Sequence, residues 1–284
     1  MSNRNFPDIW IAIPDSSLSD EQTKRGKTVK ICQFARACSI FRVKKIYIYH
    51  DKTAKTAEQD LSLLVTVLRY LDTPQYLRKL LYPHKEELEY AGLLHPINAP
   101  HHLELQRIRD IKLGDVRVGV ILKVRGELRV DIGLSSLVGF EGSGFHGKKV
   151  NVKIVSTYPS LRGKEATEYD IKDKYWGYEV HETYSLNKLL KSISNTQIII
   201  TSKKGSHIED KEAKILAPLK SLRNLLMVFG TPKKGVDEML AVEGGNIDAY
   251  EFVLNMFPFQ ATKTIRLEEA ILGSLAVFNH ILSK

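Results

Sequence analysis

The chain has 284 residues, 43% of them apolar and 26% charged, the balance of an ordinary globular protein. That length favours two domains, and no apolar run approaches the ~18 residues that a membrane span needs. A net charge of +9 favours a polyanionic partner, because Lys and Arg gain by displacing counterions from phosphates.

Residues 1–8 show no charged-then-apolar leader pattern, so a cytosolic protein is expected. A strand is predicted over 9–13. Ser19 is then expected to cap a helix running to about Phe41, with Val29, Cys32, Ala35 and Ile40 on its apolar side. A second strand follows over 43–49. Leu61, Leu64, Val65, Leu68 and Leu71 mark an amphipathic helix that ends at Thr73 and Pro74. Strand, helix, strand, helix is half of a parallel α/β layer.

The pattern changes after 96–100. Short alternating runs over 116–124, 128–132, 137–140 and 150–155, with turns at 125–127 and 142–147, predict a small antiparallel barrel of the OB type. The α/β pattern then returns. The expected plan is one discontinuous α/β domain, 1–95 and 163–284, with a barrel at 96–162 inserted between its halves. The charge-dense stretch 163–174 reads as a connector or binding loop.

Two glycine motifs fail on context. Gly142 to Gly147 fits G-x-G-x-x-G, but a dinucleotide motif must open a helix, and 148–155 alternates like a strand. The same glycines approach a P-loop, yet Lys149 stands where a magnesium-binding Ser or Thr belongs. A hairpin turn is expected instead. Cys32 and Cys38, on different faces of one helix, make no zinc pair, and His101-His102 reads as part of a linker, so no metal is expected.

The last third carries the functional signal. Ile198, Ile199 and Ile200 run into a turn at 201–205, and 225–229 runs into Gly230-Thr231-Pro232-Lys233-Lys234-Gly235. A third segment covers 255–264. In open parallel sheets ligands bind outside the carboxyl ends of the strands, so three such ends predict a pocket. Glycines at 230 and 235 let backbone approach a ligand, Thr262 and Thr264 offer hydroxyls, and Met256 and Phe257 offer an apolar rim.

The stretch 228–235, the segment 255–264 and the following 265–271 resemble the SPOUT (α/β-knot) RNA methyltransferases, and 34–43 is similar to the first motif of that superfamily. The likeness is greatest to the archaeal and eukaryotic "putative RNA methyltransferase" branch, which carries an OB-like insertion. The resemblance implies a C-terminal trefoil knot, a homodimer, and S-adenosylmethionine held in the knot. It implies as pocket residues Thr201, Ser202, Phe229, Gly230, Thr231, Gly235, Met256, Phe257, Pro258, Gln260, Thr262 and Thr264. Arg36 matches the catalytic or RNA-orienting arginine, although Phe41-Arg42-Val43 departs from the glycine usual after the aromatic. The implied substrate is RNA, by analogy ribosomal RNA, with a uridine or pseudouridine nitrogen or a ribose oxygen as acceptor. A non-catalytic RNA-binding protein of the same fold is the alternative. Basic residues for RNA are expected at Lys24, Arg25, Lys27 and Lys30 on the first helix, and at Lys203, Lys204, Lys233 and Lys234 around the pocket.

Overall fold

The computed structural model describes residues 6–55, 58–103, 107–171, 174–219 and 222–283. It divides into two compact units, Met1–Arg69 with Glu87–His95 and Tyr178–Lys284, and Tyr70–Glu86 with Pro96–Gly177.

The first unit contains six parallel strands: β1 Asp8–Pro14, β2 Val43–Tyr49, β8 Glu179–Thr183, β9 Thr196–His207, β10 Asn224–Val228 and β11 Phe252–Asn255, in the order β11-β9-β10-β1-β2-β8. Strands buried on both faces read as continuous apolar runs, and Leu225 to Val228 in β10 are all buried. Helices α5 Leu186–Ser192 and α7 Val236–Val242 cover one face, where Leu189, Leu190, Met239 and Leu240 meet Ala12, Ile200 and Val228.

Helix α1 is Lys24–Ile40, and it lies against the final helix α8 Leu267–Ser283. Its start differs from the expectation. Asp15–Leu18 forms a short 3-10 turn, and Thr23 rather than Ser19 caps α1, its hydroxyl accepting from the Gly26 amide at 3.0 Å. Its buried side is Ile31, Phe34, Ala35, Ala37 and Cys38, whereas Val29 and Ile40 are exposed. The amphipathic helix α2, Glu58–Asp72, lies where the leucine spacing put it.

The second unit is built on a closed five-stranded barrel: β3 Val116–Val124, β4 Glu127–Asp131, β5 Val138–Glu141, β6 Lys149–Ser156 and β7 Arg162–Glu165, in the order β3-β4-β5-β7-β6. Ile121, Val130, Val138, Val152 and Ile154 fill it. The stretch read as a connector thus supplies a strand, β7, and the short helix α4 Glu168–Ile171; Lys172 and Asp173, at its end, lie outside the described residues. The 142–147 loop joins β5 to β6, which do not pair with each other, so it is no hairpin.

Helix α3, Gln75–Leu81, packs Leu77 on Val118 and Val120 outside the barrel. His101 and His102 are structural, each donating from Nε2 to the Asp72 carbonyl at 2.9 Å. Burial pushes the Asp72 carboxyl up, but Lys149 and His101 together hold it below its ordinary range.

The sheet carries one irregularity that shapes everything at its carboxyl edge. Val253 pairs with Ile200, but the next residue, Leu254, pairs with Ser206, so 201–205 bulge out of the ladder inside β9. The expected turn at 201–205 is this bulge within a longer strand. Gly205 permits it, because a Cβ there would stand 2.6 Å from the Val253 carbonyl oxygen and 2.7 Å from Leu254 backbone. Gly205→Ala is therefore expected to lower unfolding stability by about 1–3 kcal/mol through forced overpacking. Gly92→Ala, with open space around its Cβ, should stay within ~0.5 kcal/mol of the parent. Urea denaturation midpoints of the two variants check this.

Candidate functional site

The bulge in β9 and the carboxyl ends of β10 and β11 open into a cavity of about 260 Å³, just below the ~300–1,000 Å³ usual for small-molecule sites. Three segments and two helices build it, α7 adding Asp237 and Glu238. The β9 bulge supplies Thr201 to Lys204, and the turn after β10 supplies Phe229 to Gly235. The segment after β11 supplies Asn255, Met256, Phe257, Gln260, Lys263, Thr264 and Ile265, while α8 contributes Leu267, Ala270 and Ser274.

Local hydrogen bonds fix these segments. Thr201 donates its hydroxyl to the Val228 carbonyl at 2.9 Å, holding the bulge against β10. The Asn255 side chain donates to the Lys203 carbonyl and accepts from the Phe257 amide, both at 3.0 Å, bracing the bulge against the last turn. The Thr231 amide and hydroxyl and the Lys234 carbonyl close the middle turn, in which a Cβ on Gly230 would sit 2.7 Å from the Lys234 carbonyl oxygen. From β2, the buried Tyr49 hydroxyl donates to the Phe229 carbonyl at 2.6 Å. Burial, reinforced by Asp51 and Asp15, raises this phenol well above its ordinary range, so it stays protonated and keeps that bond.

Of the residues implied by resemblance, Thr201, Ser202, Phe229, Gly230, Thr231, Gly235, Met256, Phe257, Gln260 and Thr264 line this one cavity. Pro258 and Thr262 share the last turn but are not on the wall; Thr262 offers its carbonyl to the Gln260 side chain at 2.9 Å. Arg36 is half-buried on α1, near Cys32, and does not line the cavity.

The two basic groups fare differently. Lys203, Lys204, Lys233 and Lys234 all reach the cavity, joined by Lys263. On α1, Lys24 pairs with Glu89 at 2.9 Å and Lys27 with Asp60 at 2.6 Å. Lys30 is 2% exposed between Asp20 at 2.5 Å and Glu268 at 3.1 Å. These three lysines tether the fold, while Arg25 beside them is exposed with no ion pair among the described residues.

Ser274 was not foreseen. Its hydroxyl is buried on the cavity wall with no hydrogen-bond partner among the described residues. A buried hydroxyl without a partner costs about 1–3 kcal/mol, so its position suits a polar ligand atom. The signal was in the sequence: Leu267, Ala270 and Ser274 fall on one helical face, with a serine breaking the apolar stripe that continues through Leu275 and Phe278. Outside the cavity but beside its last turn, Phe259 is 87% exposed, its ring 6.2 Å from that of His207.

A parallel α/β sheet with a ligand-sized crevice at its carboxyl edge, ringed by lysines, is the architecture of a protein that binds an organic cofactor or nucleotide there. Comparison with known proteins narrows the class. A family described as "Putative RNA methyltransferase" matches residues 8–278, and the chain belongs to it. It is 30% identical over 296 residues to the 28S rRNA (uridine-N(3))-methyltransferase of Homo sapiens, covering 94% of this chain and 77% of that protein. The Mus musculus protein of the same name is 29% identical over 304 residues, covering 97% and 77%. An uncharacterized protein of Halobacterium salinarum is 26% identical over 283 residues, covering 93% and 96%. The chain is thus an enzyme of the methyltransferase class, and a methyl donor is required.

Proposed function

We propose that the protein transfers a methyl group from S-adenosylmethionine to N3 of a uridine in ribosomal RNA. The observation that carries this is the unpartnered Ser274 hydroxyl on the wall of a strand-end cavity, in a chain of an RNA methyltransferase family. The uridine and its N3 follow the names of the relatives from Homo sapiens and Mus musculus.

The cavity residues fit the donor. Met256, Phe257, Ile265 and Leu267 offer apolar surface to an adenine ring, and the Thr231 and Ser274 hydroxyls offer partners to polar edges. Asp237 and Glu238 place carboxylates where a cationic amino-acid tail gains by their presence. When bound, S-adenosylmethionine supplies an electrophilic methyl carbon whose departure leaves a neutral thioether. The chain's own work is positioning: the braced bulge and turns hold the donor rigidly, and alignment accounts for much of the rate in such a displacement.

RNA contact is assigned to the cavity rim, where Lys203, Lys233 and Lys263 meet phosphates and Phe259 stacks a base. In the barrel unit, read as an OB-type insertion, Phe145, Tyr158 and Tyr169 are exposed and give a second stacking surface, whereas Phe140 belongs to the barrel core. The reading also includes the trefoil knot, a homodimer, a cytosolic location, and contact of Arg36 with RNA instead of with the donor.

Isothermal titration with S-adenosylmethionine tests the cofactor. Micromolar binding is expected, lost in Gly230→Trp and weakened about five- to tenfold in Ser274→Ala by one missing hydrogen bond. A folded wild-type protein that binds no S-adenosylmethionine would contradict the reading and favour a non-catalytic RNA-binding protein. Phe259→Ala should reduce affinity for single-stranded RNA about 5- to 100-fold, the loss of one stacked base, with donor binding unchanged; fluorescence anisotropy reads it.

A further inference from the structure

Beside the cavity, at the carboxyl ends of β1 and β2, lies a second polar group that the donor site does not use. Asp15 follows β1 with its side chain only 4% exposed, and its Oδ2 is 2.6 Å from His50 Nδ1, just past β2. Its Oδ1 accepts from the Asp51 amide at 3.0 Å. Asp51 in turn accepts from the Ser16 hydroxyl at 2.5 Å and from the Thr53 amide at 2.8 Å. The carboxylate is thus fixed on two sides, and it fixes the imidazole. The His50 side chain is 39% exposed, and its Nε2 has no partner among the described residues. The exposed Tyr184 ring flanks the imidazole at 5.5 Å.

The arrangement is tied directly to the cavity wall. Tyr49, next to His50, holds the Phe229 carbonyl, and Lys234 on the wall donates to the Thr53 carbonyl at 2.5 Å. Adjacent strands lie ~4.8 Å apart, so Asp15 and His50 stand about one and two strand spacings from the β10 end of the cavity. A nucleotide beside the donor reaches that far.

We propose that His50, oriented by Asp15, is the general base that removes the N3 proton of the acceptor uridine. The inference rests on the methyl-transfer reading above. An imide nitrogen is a poor nucleophile while it carries its proton. As the N3–H bond breaks, the proton passes to His50 Nε2 and the nitrogen pair forms the new C–N bond. The methyl carbon's bond to sulfur breaks with its electrons left on sulfur. The imidazolium is stabilised by the buried Asp15 carboxylate and releases its proton to solvent through its exposed edge. Tyr184, flanking His50, is placed to stack on the same base.

The charged and titratable groups near the imidazole include Asp15, Asp51, Tyr49 and Tyr184, and on the neighbouring loops Lys234, Lys52 and the buried Glu243 that Lys52 faces at 3.9 Å. Of these only Asp15 contacts a ring nitrogen, so His50→Gln removes the base and Asp15→Asn removes its orientation. With the full-length protein, tritiated S-adenosylmethionine and a large-subunit rRNA transcript, both variants are expected to bind the donor like the wild type. At about pH 7 their turnover should fall about 10²-fold or more, and the deficit should shrink toward about pH 9 as the imide ionises unaided. Wild-type turnover in His50→Gln, or a loss equal at both pH values, would overturn the proposal. Uridine 5′-monophosphate titrated into labelled protein gives an independent readout: it should shift the His50 ring resonances in wild type, and absence of that shift overturns the proposal. Should the wild type transfer no methyl group, the methyl-transfer reading falls, and the His50 shift still decides whether this is a uridine site.

Discussion

The parallel pairing of β1, β2, β9, β10 and β11 is the constraint from which the rest follows, because it delivers the carboxyl ends of separate chain segments to one edge. Residues as distant as Asp15, His50, Thr201, Gly230 and Met256 owe their proximity to it. The ladder also sets where irregularity is possible. At the β9–β11 boundary one strand loops out by a whole segment, and there Gly205 admits the backbone of β11 closer than a Cβ allows. The bulge is what turns the edge of a sheet into a concave wall.

Charge divides by position along the same geometry. Lysines on α1 are consumed by carboxylates from other segments, Lys30 being nearly sealed between Asp20 and Glu268. Lysines on the strand-end loops are mostly satisfied by backbone carbonyls or by a single half-buried carboxylate: Lys203 by Lys263, Lys234 by Thr53 and Lys204 by Asp237. Lys203, Lys204 and Lys233, exposed on the loops, lose little hydration on meeting a phosphate, which favours the loops over the paired lysines of α1 as the anion-facing surface. The net charge of the chain could not make that distinction.

Much of this was legible in the sequence because the period of apolar residues changes with the element. Continuous apolar runs marked β9 and β10, four of the five barrel strands were visible from their alternation, and the leucine spacing marked α2. The fifth, Arg162–Glu165, was hidden because its outward residues are charged and its one buried position is a glycine. Ser19 imitates the cap better than Thr23 in sequence, because Gln22 three residues on completes the pattern of a capping box. Most pocket residues were found through strand-end turns and family likeness, both of which point to loops. Ser274 and the Asp15–His50 pair escaped for the opposite reason. One sits on a helix that reads as core, and the other joins residues thirty-five positions apart whose contact exists only once β1 and β2 pair.

The central claim is that this strand edge aligns a methyl donor with a uridine ring nitrogen. The most direct measurement is nucleoside analysis of a large-subunit rRNA transcript after incubation with the protein and isotopically labelled S-adenosylmethionine. The account predicts label in N3-methyluridine, abolished by Gly230→Trp. Label in a ribose-methylated nucleoside, or no label from protein that binds the donor, would contradict it.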